Sequence, residues 1–97
     1  PNTSDNMINN YVALNGIITA LLEKDIDFQV IHTLDGDLNP VKQLNFKNYA
    51  CQCDLEDLTA GDIFRIIKEE PTGEILETIL HTPDEFMNAV INIIQKE

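Results

Sequence analysis

Residues 63–80, IFRIIKEEPTGEILETIL, decide the fold. Two apolar runs of matched length, 63–68 and 75–80, flank Glu70-Pro71-Thr72-Gly73. Proline suits the second position of a type I turn because its ring pre-sets φ, and glycine supplies the left-handed residue that follows. Equal strands around such a turn predict a β-hairpin. A helix competes for the front half, since Leu55, Leu58, Ile63, Ile66 and Ile67 also fall on one helical side. Gly61 interrupts that helix, and the hairpin accounts for residues 63–80 without it. Whether residues 54–62 form helix or loop stays open.

Downstream, Thr82-Pro83-Asp84-Glu85 is a helix start. Threonine serves as N-cap, proline occupies the first helical position, and the acids sit at the positive end of the helix dipole, with Glu85 completing a capping box. Phe86, Ala89, Val90, Ile93 and Ile94 then recur at helical spacing, and Met87 and Ile91 widen the apolar stripe.

Upstream, residues 27–34 alternate with β-branched residues prominent, and Asp35-Gly36-Asp37 ends them with a turn. Residues 41–50 resume an alternation, Leu44, Phe46 and Ala50 against Lys47, Tyr49 and Cys51, which predicts a first hairpin. From about Ser4 to Lys24, Ile8, Tyr11, Val12, Leu14, Ile18, Leu21 and Leu22 follow helical spacing. The polar side of this helix is asparagine (Asn6, Asn9, Asn10, Asn15) where charge is expected, and Gly16 costs roughly 1 kcal/mol against alanine.

The expectation is therefore an α+β fold: a helix, a four-stranded antiparallel sheet made of two hairpins, and a C-terminal helix, with both helices on one face. Residues 1–6 read as a flexible lead-in or added residues, with Met7 as the natural start, and 7–97 as one domain. With 43% hydrophobic residues the chain supports a folded core. No apolar run approaches the roughly 18 residues of a membrane span, and no signal peptide is visible, so a cytoplasmic location is expected, in the producing cell or a virus-infected host. Asn2-Thr3-Ser4 matches a glycosylation acceptor but has no secretion signal to support it.

Charge is the other dominant feature. Seventeen Asp and Glu stand against six Lys and Arg, with Arg65 the only arginine, for a net charge of -11. Such a surface disfavours direct contact with nucleic acid or membrane and favours a basic partner. Tests for chemistry fail one by one. Asp35, Asp37 and Asn39 imitate a calcium loop, but Pro40 stands where glycine and Phe46 where the bidentate glutamate is needed. Cys51, Cys53, His32 and His81 lack zinc-ligand spacing. The two thiols, two residues apart on a strand, share a face in a geometry that strains a mutual disulfide, and an acidic surface raises rather than lowers a nucleophile's pKa. There is no phosphate loop, and Ser4 is the only serine. The chain reads as a non-enzyme with no cofactor, no metal and no catalytic residues.

The acids gather in close sets. Carboxylates two residues apart on an extended segment are about 6.6 Å apart, close to the spacing of successive phosphates along one nucleic-acid strand. The leading expectation is a protein-binding module, an acidic inhibitor that mimics nucleic acid on the basic surface of a nucleic-acid-handling protein. Its contacts would be Asp54, Glu56, Asp57, Asp62, Glu69, Glu70, Glu74 and Glu77. The alternative is an accessory or structural subunit, a homodimer or larger assembly, joined through an apolar sheet face of Ile63, Ile67, Ile75 and Ile79. Acidic turns also keep small domains soluble, which is the plain explanation both must beat.

Overall fold

A computed structural model describes residues 3–34, 36–38, 40–54 and 64–97, with residues 3–9 and 54 described by their backbone alone. The chain runs α1 (Thr3–Glu23), β1 (Phe28–Leu34), β2 (Pro40–Phe46), β3 (Tyr49–Asp54), β4 (Phe64–Glu69), β5 (Ile75–Leu80) and α2 (Pro83–Lys96). The strands form one antiparallel sheet in sequence order, β1-β2-β3-β4-β5. The fold is α+β, with five strands among the described residues rather than the four expected.

The extra strand arises at Lys47-Asn48. Residues 41–50 were expected to be one strand, but Phe46 pairs with Tyr49 across a two-residue loop in which Lys47 takes a positive φ of 47°. Such a loop changes the parity of the side chains that share a face. Leu44 and Phe46 therefore continue as Tyr49, Cys51 and Cys53, and Ala50 lies on the opposite face.

Register defines the two faces. Phe28, Val30, Leu44, Phe46, Tyr49, Cys51, Cys53, Phe64, Ile66 and Leu80 share the first. Its central members are buried in one cluster with Ala13, Leu14, Ile17 and Leu21 of α1 and with Phe86, Val90 and Ile94 of α2. The rings of Phe64 and Phe86 stack with centroids 4.9 Å apart, fixing α2 to β4. Lys42 Nζ lies 4.7 Å from the centre of the Tyr11 ring, linking α1 to β2.

The α1 stripe differs from the one read from spacing. Ala13, Leu14, Ile17 and Leu21 are buried, whereas Val12 and Leu22 are 58% and 65% exposed. Apolar residues occupy so much of this helix's circumference that spacing alone does not choose the inward face. The helix begins at Thr3, inside the stretch read as a lead-in. It ends in a Schellman arrangement: Ile26 N donates to Leu21 O (3.0 Å), Asp25 N donates to Leu22 O (3.1 Å), and Asp25 adopts a φ of 56°. Helix α2 starts as its sequence predicts, with Thr82 Oγ1 accepting from Glu85 N at 3.1 Å and Pro83 in the first turn.

Candidate functional site

The candidate surface is the β4–β5 hairpin and the second sheet face. Gly73 N donates to Glu70 O and Glu70 N to Glu74 O, both at 2.8 Å, and Gly73 has a φ of 91°. The three-residue loop Pro71-Thr72-Gly73 thereby sets the register Glu69↔Ile75, Ile67↔Glu77, Arg65↔Ile79 on the second face. Each charged residue of this patch sits opposite an isoleucine, so no like charges face each other across the strands.

Among the eight acids singled out from the sequence, the structure describes the side chains of Glu69, Glu70, Glu74 and Glu77. Glu56, Asp57 and Asp62 lie outside the described residues, as does Ile63, and Asp54 is described as the last residue of β3. The question of helix or loop for residues 54–62 likewise falls there, apart from Asp54. Glu69, Glu74 and Glu77 are exposed. Glu70 is committed internally: its Oε1 lies 3.3 Å from Lys68 Nζ, and this contact raises the Lys68 pKa above its ordinary value. Lys68 Nζ is also 5.8 Å from the centre of the Tyr49 ring. The described acids are thus interrupted by Lys68, Arg65 and isoleucines.

The second face is not uniformly apolar. At its centre Gln52 Nε2 donates to Gln43 Oε1 (2.7 Å), and Gln43 Nε2 donates to Asn45 Oδ1 (2.9 Å). This amide ladder confines the apolar part of that face near the hairpin to Ile67, Ile75 and Ile79. Ile75 and Ile79 are 58% and 48% exposed. Spacing located these isoleucines, but the amide ladder was missed because Gln52 reaches Gln43 only through strand pairing.

Among the described residues β5 is an edge strand, and every residue from Ile75 to Ile79 is exposed. Its one charged residue is Glu77, and it carries no lysine, proline or described bulge, further devices that blunt an edge against pairing. On the first face, Leu76 is 45% exposed, outside the buried cluster.

Elsewhere the sequence candidates are dispersed. Cys51 and Cys53 are buried in the core and not joined in a disulfide, and burial pushes the Cys51 pKa up to about 12. His32 and His81 are both exposed. Among the described residues no group of three or more His, Cys, Asp or Glu has a metal-holding arrangement, and no helix is long and apolar enough to cross a membrane. A shallow groove of about 180 Å³ between α1 and the start of α2 is lined by Val12, Ala13, Pro83, Asp84 and Met87, without a nucleophile or base pair. Comparison with protein-family models, curated proteins and solved structures finds no match.

Proposed function

We propose that this chain is a non-enzymatic protein-binding module that docks through its β4–β5 hairpin on a positively charged protein surface. One observation carries the reading: exposed Glu69, Glu74 and Glu77 stand beside exposed Ile75 and Ile79 on a chain of net charge -11. Carboxylates speed and orient the encounter, while the isoleucines supply apolar area. The buried residues of α1 and α2 cluster with the first sheet face, and near the hairpin the exposed residues of the second face and of β5 support this reading. Inhibition of a nucleic-acid-handling protein by charge mimicry is the narrower form of this proposal, with the carboxylates taking the places of phosphates.

The test is capture of proteins from the source cells at two salt concentrations by wild type and by Glu69→Gln/Glu74→Gln/Glu77→Gln. Expected is a partner whose retention falls with added salt and with the triple substitution. Retention indifferent to both removes the charge-based reading. The assembly reading rests on the exposure of Ile75 and Ile79. It requires concentration-dependent self-association that salt does not weaken, and a strictly monomeric chain removes it.

A further inference from the structure

The β5 edge carries an inference that deepens the binding proposal and rests on it. Glu70 N donates to Glu74 O, so alternation along the antiparallel pair turns the main-chain groups of Leu76, Thr78 and Leu80 toward β4. Those of Ile75, Glu77 and Ile79 then point away from the sheet, where no described strand pairs with them. Three unpaired donor and acceptor sets, one every second residue, are a template for another strand. Their side chains lie on the second face in the order apolar, acidic, apolar, and Leu76, Thr78 and Leu80 line the first face beside them.

We infer that this protein binds by β-strand addition: an extended segment of a second protein pairs antiparallel with β5, its alternate residues apolar, basic and apolar opposite Ile79, Glu77 and Ile75. Main-chain bonds hold such a segment, and alternate side chains select it. Charge decides the occupant. A second copy of the chain would bring another charge of -11 to an edge whose central residue is Glu77, whereas a basic residue at that place meets an opposite charge directly across the ladder. Of the two edge strands β5 is the more exposed, since every residue from Ile75 to Ile79 is exposed whereas half-buried residues recur along β1.

The test uses the full chain and a labelled synthetic peptide, VVTKVV between Gly-Ser flanks. Paired antiparallel, it places its lysine opposite Glu77 and its valines opposite Ile75, Leu76, Ile79 and Leu80. Fluorescence anisotropy should show binding that weakens roughly tenfold when the lysine is replaced by glutamate, the range expected when one cross-strand pair changes from opposite to like charge. Glu77→Lys should reverse the preference between the two peptides. N-methylation of the second and fourth peptide residues, which removes main-chain donors facing β5, should abolish binding.

No binding of the lysine peptide by wild type, equal binding of both peptides, or undiminished binding of the methylated one overturns strand addition. So does a dimer in sedimentation velocity that Ile79→Lys converts to monomer, because the occupant is then a second copy. Salt-sensitive capture of cellular protein that persists in an Ile79→Lys/Glu77→Lys variant sinks strand addition but leaves the binding function standing. Loss of salt-sensitive capture from wild type sinks the binding function itself.

Discussion

Gly16 of α1 faces Met87 of α2 so closely that a Cβ added to the glycine would lie 2.7 Å from Met87 Sδ. The glycine that looks like a defect in α1 is therefore where the two helices meet. Its helix-propensity cost of about 1 kcal/mol is set against the close approach it allows. Sδ is near the flexible end of its side chain, and the groove bounded by Val12, Ala13, Pro83 and Asp84 lies beside it. Gly16→Ala should consequently change stability by less than about 1 kcal/mol, with propensity gained offsetting displacement of the thioether. Gly16→Leu should destabilise by about 1–3 kcal/mol through overpacking. Urea unfolding of both variants measures the difference, and equal losses would show that the contact is not what limits residue 16.

At the other end of α1, Asp25 holds a φ of 56° and places a carboxylate at the negative end of the helix dipole. Both are unfavourable for aspartate. Asp25→Gly should stabilise the protein by about 1 kcal/mol by removing the left-handed strain and the misplaced charge. A lower midpoint in thermal unfolding would contradict this account of the cap.

Thr82 Oγ1 accepts the Glu85 N–H at 3.1 Å at the start of α2. Thr82→Ala should cost about 1 kcal/mol, and Thr82→Ser considerably less, because serine keeps the acceptor. The pair of variants separates the hydrogen bond from loss of the threonine methyl.

Cys51 is fully buried, and its pKa rises from the ordinary 9.0 to about 12 because burial disfavours the thiolate. In the unfolded chain the thiol ionises near its ordinary value, so above pH 9.0 the unfolded state sheds a proton that the folded state keeps. The stability from this group is whole below that pH and declines by about 1.4 kcal/mol per pH unit until the folded thiol itself ionises. Chemical denaturation between pH 8 and about 10.5 should show a steeper decline for wild type than for Cys51→Ala, whose cavity lowers stability at every pH alike. A thiol reagent at pH 8 should leave both cysteines unmodified in the native protein and modify both in denaturant.

Local chemistry made much of the fold legible. Thr82-Pro83 reveals the start of α2 because capping is settled within one turn, and Pro71-Thr72-Gly73 reveals the second hairpin because a left-handed residue there calls for glycine. Lys47-Asn48 was missed as a turn since neither residue is a strong breaker; the shift of apolar parity from Leu44 and Phe46 to Tyr49, Cys51 and Cys53 was the available sign. The inward face of α1 was misread because Tyr11, Val12 and Leu22 are as apolar as the residues actually buried. In the candidate site, the isoleucines of β5 were visible as a second apolar face. The pairing of Glu70 with Lys68 and the amide ladder of Gln43, Asn45 and Gln52 were not.

By itself, then, the sequence determined the α+β class, the second hairpin, the start of α2 and the acidic character of the whole. Each follows from interactions within a few residues, or from a sum over the chain that no arrangement alters. Only the tertiary structure decided the fifth strand, the side of α1 that turns inward, and the position of β5 as an exposed edge with Glu77 between two isoleucines. Those depend on which distant segments pair, because an edge exists only where no further strand is added and a helical face is buried only against what covers it.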